Sequence, residues 1–210
     1  MLELMKRWRI LAFLVVALVG WSTPASSATR VVVMFGDSLT AGFGLTQEEA
    51  YPALLGTRLR ADGFDYRVVN AGVSGDTSAG GLRRVDWALR LKPDVVVVAL
   101  GGNDGLRGLD LATTRANLAA IVERFQAAGA KVLLAGMRLP PNYGGDYASR
   151  FARMYETVAR ERGVPLMPFL LDGVGGQARL NQPDGIHPTA EGQRIIADRM
   201  WPHLRPLLIR

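Results

Sequence analysis

The sequence contains no cysteine. That excludes a disulfide scaffold, a thiolate zinc site, an iron–sulfur centre, a thiol nucleophile and a lipidated N-terminal cysteine. Histidine is nearly as scarce: only His187 and His203 occur, too few for a multi-histidine metal site. Lysine is also rare, with 3 residues against 22 arginines in a chain of net charge +6. The arginines are scattered and form no basic cluster interleaved with aromatics, so a nucleic-acid partner is not expected. No linker, internal repeat or low-complexity tract interrupts the chain. No apolar run reaches the ~20 residues of a transmembrane helix.

The one long apolar run is Ile10–Trp21. Lys6, Arg7 and Arg9 precede it, and the small, polar stretch Ser22–Ala28 follows. Ser26 and Ala28 stand at the −3 and −1 positions of a cleavage site. This is the pattern of a secretory signal peptide over residues 1–28, which predicts a periplasmic or secreted protein with one domain over residues 29–210. With 49% apolar and 21% charged residues, that domain is expected to fold around an ordinary core.

Strand and helix signals alternate along it. Arg30–Phe35, Tyr66–Asn70, Asp94–Leu100, Lys131–Gly136 and Val164–Met167 read as strands, and Asp94–Leu100 is apolar on both faces, as a central parallel strand should be. Helices are expected over Ala50–Ala61, Thr77–Leu91, Leu111–Ala128, Tyr147–Arg162 and Thr189–Leu208, the last with Thr189 as N-cap. The alternation predicts an α/β fold with a five-stranded parallel sheet covered on both faces. Ligands of such sheets bind beyond the carboxyl ends of the strands.

The polar residues cluster at those ends. Gly36-Asp37-Ser38-Leu39 follows the first strand, Asn70-Ala71-Gly72 the second and Gly101-Gly102-Asn103-Asp104 the third; Asp184-Gly185-Ile186-His187-Pro188 lies beyond the fifth. Ser38 is the candidate nucleophile. A serine hydroxyl is weak until a base takes its proton, and His187 is the candidate base. Asp184, three residues earlier, can orient that ring and stabilise its charged form. The Ser38 and Gly72 N–H groups and the Asn103 carboxamide are candidate oxyanion donors, Gly72 because a residue without Cβ lets substrate approach the backbone. Asp37 and Asp104 read as loop-fixing carboxylates, and His203 as structural. The Gly-x-Ser-x-Gly elbow of ordinary α/β-hydrolases is absent.

Taken in order, Gly36-Asp37-Ser38-Leu39, Gly72, Gly102-Asn103-Asp104 and Asp184-x-x-His187 resemble the four blocks of the SGNH (GDSL) hydrolase family. The stretches GDSLTAGFGL, NAGVSGDTSAGGL, LGGNDGLRGL, RLPPNYG and DGIHP are similar to its bacterial periplasmic acyl-CoA thioesterase, arylesterase and lysophospholipase branch. The resemblance implies a flavodoxin-like three-layer α/β/α sandwich and a Ser38–His187–Asp184 triad. It also implies Ser38, Gly72 and Asn103 as the oxyanion hole, no cofactor and no metal. The implied substrates are small acyl esters and thioesters, with lipid substrates met at a membrane surface, and a monomer is favoured. Gly105, Leu106, Arg107, Gly108 and Leu109 resemble the loop that lines the family's acyl groove. Leu139–Tyr143, with Pro140 and Tyr143 as candidate contacts, follows a strand at the same edge. The sequence departs from the family pattern mainly at Gly144–Asp146 and Leu171–Gln182, which bears on substrate preference. An arylesterase or carbohydrate deacetylase would use the same machinery. A flavin-binding electron carrier would share the fold class but leave Asn103, Asp184 and His187 without a role.

Overall fold

The computed structural model describes residues 29–210, so the signal-peptide reading of residues 1–28 lies outside the described residues. Five strands form one sheet: β1 (Arg30–Gly36), β2 (Tyr66–Gly72), β3 (Val95–Ala99), β4 (Lys131–Ala135) and β5 (Leu166–Met167). All neighbours are parallel, in the order β2-β1-β3-β4-β5. This is the flavodoxin-like strand order, and its switch point, where consecutive connections depart in opposite directions, lies between β1 and β3. Among the described residues no helix is long and apolar enough to cross a membrane.

Alternation along the strands builds two cores. Val31, Val33 and Phe35 of β1, with Val96 and Val98 of β3, pack on one face. There they meet α3 (Ser78–Leu89), α5 (Leu111–Ala127) and α6 (Gly145–Arg162) through Val85, Leu118, Phe125 and Tyr155. Val32, Met34, Val95 and Val97 pack on the other face. They meet α2 (Tyr51–Ala61) and α7 (Ala190–Leu204) through Leu55, Leu59, Ile196 and Trp201. Every residue of β3 is buried, which accounts for its unbroken valine run.

The departures from the expected elements have local causes. β5 is only two residues long, because Val164 N–H is used to close α6 on the Ala159 carbonyl and Pro165 has no N–H to give the sheet. α7 ends at Leu204, and a tighter turn over Arg205–Leu207, with Pro206 in its first turn, follows instead of four more helical residues. Its start is as expected, with Thr189 Oγ1 accepting the Gly192 N–H. Two short helices had no signal of their own: α1 (Ser38–Ala41) and α4 (Gly102–Leu106). Both begin directly at the carboxyl ends of the central strands, and they carry Ser38 and Asn103.

Candidate active site

Asp37 is the N-cap of α1; its Oδ1 accepts the Leu39 N–H at 3.0 Å. Gly42, in left-handed conformation, ends the helix after one turn. The turn is held from outside: buried Gln193 of α7 donates to the Leu39 carbonyl and accepts the Tyr51 N–H. Ser38 is therefore presented at the strand end by a backbone anchored to two helices.

His187 arrives from a loop that the fold closes on itself. Asn181 and Pro188 form an isolated antiparallel bridge, and Gln182 N–H donates to the His187 carbonyl at 2.7 Å. Gln182 Nε2 also donates to the Phe43 carbonyl, tying this loop to the chain just after α1. Within the loop, Asp184 Oδ1 accepts the N–H groups of Ile186 and His187, each at 3.0 Å. Asp184 Oδ2 lies 2.7 Å from His187 Nδ1, and His187 Nε2 lies 2.9 Å from Ser38 Oγ. An ionised carboxylate only accepts, so the ring proton sits on Nδ1 and leaves the Nε2 lone pair to accept the serine hydroxyl. The two His187 contacts and the Ile186 N–H hold the Asp184 carboxyl down at about 2, so it stays charged. The Phe43 ring lies against His187, the centroids 4.5 Å apart and the planes tilted by 34°.

Asn103 lies on α4. Its Nδ2 donates to the Asp76 carbonyl at 2.9 Å and reaches Asp37 Oδ2 at 3.4 Å. The second contact is long, so that N–H is only weakly engaged. Burial pushes the Asp37 carboxyl up to about 6, against the pull of the Leu39 N–H. Asp104 is buried and accepts from Ser78 N–H and Oγ. Both aspartates fix loops, as their positions suggested.

Ser38 and His187 open into a cavity of about 630 Å³. Asn103, Ser74 and Gly75 line its polar side, and Leu106, Met137, Leu139, Pro140, Phe169 and Leu171 its apolar side. Among the described residues no cluster of three His, Asp or Glu side chains could hold a metal ion.

Several expected residues are placed elsewhere. Gly72 is not in this lining. Its N–H donates to Asn70 Oδ1 at 3.0 Å, and a Cβ there would overlap the Ala41 backbone. Gly72 is bare so that α1 can pack against the end of β2, and the oxyanion assignment to it is corrected. Gly75 lines the cavity instead, with φ +77° and an N–H that has no hydrogen-bond partner among the described residues. The glycine count alone could not separate the two; the signal was the Ser74-Gly75-Asp76 turn just before Thr77, the N-cap of α3.

The expected groove residues divide between the cavity and its surroundings. Of Gly105, Leu106, Arg107, Gly108, Leu109, Pro140 and Tyr143, only Leu106 and Pro140 line the cavity. Gly105 packs under Phe151 and Leu139. Arg107 donates to the Gly75 carbonyl, and Gly108 serves a left-handed turn. Leu109 is solvent-exposed, and Tyr143 donates its hydroxyl to the Leu106 carbonyl. Phe43, Met137, Phe169, Leu171 and Ile186 were missed because they sit in irregular segments without periodicity. His203 lies in the last turn of α7 and does not reach the cavity.

The GDSL-like lipase/acylhydrolase family model matches residues 34–195. Esterase TesA of Pseudomonas aeruginosa is 49% identical over 183 residues, 87% of this chain and 91% of that protein. Thioesterase 1/protease 1/lysophospholipase L1 of Escherichia coli K12 is 41% identical over 203 residues, 96% of this chain and 94% of that one. A crystal structure of TesA superposes with a TM-score of 0.83 at 49% identity, covering 85% of this chain and all of its own.

Proposed function

The chain belongs to the GDSL-like lipase/acylhydrolase family, and from that membership we propose that it cleaves acyl esters and thioesters through an acyl-enzyme on Ser38. It is a hydrolase of the esterase and thioesterase class. The observation that carries the mechanism is the unbroken chain Ser38 Oγ–His187 Nε2 (2.9 Å) and His187 Nδ1–Asp184 Oδ2 (2.7 Å) at the wall of an apolar cavity.

In this reading His187 takes the Ser38 proton as Oγ attacks the acyl carbonyl carbon. The tetrahedral oxyanion is met by the Ser38 N–H, the Gly75 N–H and the weakly held Asn103 N–H. His187, charged and stabilised by Asp184, then protonates the departing alkoxide or thiolate. Water, activated by His187 in turn, attacks the acyl-enzyme, and the acid leaves. The acyl chain lies against Leu139, Pro140, Phe169 and Leu171. No step calls for a cofactor.

Substrate breadth follows from the cavity's shape and hydrophobicity: its apolar side recognises hydrocarbon and makes no demand on the leaving group. Half-exposed Phe43 and Ile186 stand at its rim, which supports access to acyl chains in lipid aggregates as well as in free small molecules. Export to the periplasm or beyond, with removal of residues 1–28, fits the sequence of that segment. A monomer suffices, because every group invoked comes from one chain. The test is hydrolysis of acyl-CoAs, p-nitrophenyl esters and lysophospholipids by residues 29–210. Turnover on all three classes, abolished in Ser38→Ala, is expected. Activity confined to acetylated carbohydrates would replace this reading with a deacetylase.

A further inference from the structure

Arg84 of α3 reaches under the site and binds three oxygens at once. Its Nε donates to Asp76 Oδ2 at 2.7 Å, one terminal nitrogen to the Ala71 carbonyl and the other to the Gly36 carbonyl, both at 2.8 Å. Gly36 is the last residue of β1, two before Ser38, and Ala71 is next to last in β2. Asp76 follows Gly75 directly and gives its own carbonyl to Asn103 Nδ2 at 2.9 Å. The guanidinium carbon lies over the Phe35 ring, 3.9 Å from its centroid, and the side chain is only 18% exposed. Gly80 has no Cβ where one would collide with the Asp76 carboxylate, so α3 is recessed to receive it. Nothing in the acyl-transfer steps above uses Arg84.

We infer that Arg84 is a positioning residue that fixes the oxyanion donors. The inference rests on the oxyanion role proposed for Asn103 and Gly75. β1 and β2 stay paired to their last residues, Gly36 and Gly72, and Val73 N–H still donates to the Gly36 carbonyl before α1 and the Val73–Asp76 turn leave the sheet. A planar cation with donors on three sides locks both carbonyls and the turn into one body. Through Asp76, that body sets the direction of the Asn103 amide and the height of the Gly75 N–H. A lysine has the charge but not the fork, and can satisfy only part of this set. An error of about 1 Å in a transition-state contact costs on the order of 10²-fold in rate. Substrate binding, which relies on the apolar wall, does not depend on the clamp.

A double-mutant cycle tests this. kcat, normalised to sites titrated with a phosphonate ester, and KM are measured for wild type, Arg84→Lys, Asn103→Ala and the double variant. Arg84→Lys should lower kcat per titrated site by about 10- to 100-fold with KM within about twofold. On the Asn103→Ala background the same change should cost at least about threefold less than in wild type, because one of the two donors it positions is gone and only the Gly75 N–H remains to be held. Asp76→Asn, which keeps the backbone carbonyl but breaks the ion pair, provides the same comparison if Arg84→Lys folds poorly. Arg83→Lys, on the neighbouring exposed arginine, should match wild type. Equal losses in both backgrounds would overturn the clamp, as would a loss confined to KM or to the fraction of titratable sites. Wild-type kcat in Asn103→Ala alone would instead overturn the oxyanion role, and the clamp with it.

Discussion

The two walls of the cavity are built by opposite means. On the β1–β3 side, functional groups follow their strands at once: Ser38 lies two residues beyond β1 and Asn103 four beyond β3. Asp37, Asn103, Asp184 and His187 all use their side-chain polar atoms in hydrogen bonds to other parts of the site. On the β4–β5 side, Met137, Leu139, Pro140, Phe169 and Leu171 come from irregular segments and offer only apolar surface. Charge that develops in a transition state must meet donors already in place, so the first wall tolerates little displacement. A hydrocarbon chain needs only area removed from water, at roughly 25 cal/mol per Å², and that demand is non-directional. The difference teaches that the chemistry resides in bonded geometry, whereas substrate range is set by shape and can vary without touching it.

Substitutions should separate the two walls most sharply at Ser38. Ser38→Ala should lower kcat by about 10⁴-fold or more with an unchanged melting temperature. His187→Ala should behave similarly, and His203→Ala should leave turnover near wild type; steady-state kinetics beside thermal melts check all three. Next in size, Asn103→Ala should cut kcat by about 10²–10³-fold at nearly constant KM, since an oxyanion donor acts mainly in the transition state. A rise in KM alone would move Asn103 to the substrate-binding side.

The buried Asp37 predicts an effect on stability. Its folded-state pKa of about 6 lies above the ordinary ~3.9 of an unfolded chain. The folded state therefore holds a proton that the unfolded state has lost, and this stabilisation is complete below ~3.9 and gone once pH rises through about 6. Asp37→Asn should flatten that slope and stabilise the protein above pH 6 by up to roughly 3 kcal/mol, at 1.36 kcal/mol per unit. Urea unfolding of both proteins from pH 4 to 8 measures it; parallel curves would show that folding does not raise the Asp37 pKa.

Smallest in energy, Phe169→Ala should lower kcat/KM for p-nitrophenyl esters of eight to twelve carbons by about 3- to 10-fold, because up to ~0.8 kcal/mol is lost per methylene left uncovered. Acetyl-ester turnover should hardly change. Leu109→Ala should leave the chain-length profile as it is, since Leu109 lies outside the cavity. A shifted profile in Leu109→Ala would return the groove to that loop.

The same division governs what could be read without coordinates. Strand periodicity, with β-branched runs at Val31–Val33 and Val95–Val98, gave the sheet, and short connections from those strands put Ser38 and Asn103 at its edge. Asp184 and His187, three residues apart before a proline, could be paired by chemistry alone. Gly72 and Gly75 could not be told apart, because both follow β2 and only the packing of α1 on Gly72 decides which N–H stays free. The apolar wall was half legible. Leu106 and Pro140 belong to segments whose motifs already stood out, but Phe169 and Leu171, though just beyond β5, owe their place to a turn pinned by Leu170 N–H on the Gly136 carbonyl, a contact with no local sequence signature.

The central claim is that Ser38 forms the covalent intermediate. Ser74 also lines the cavity and is the competitor to exclude. Intact-mass and peptide mass spectrometry after reaction with a p-nitrophenyl alkylphosphonate measures this directly. One phosphonyl group on Ser38, absent from Ser38→Ala, is the predicted result. A label on Ser74, or one that persists in Ser38→Ala, would contradict it.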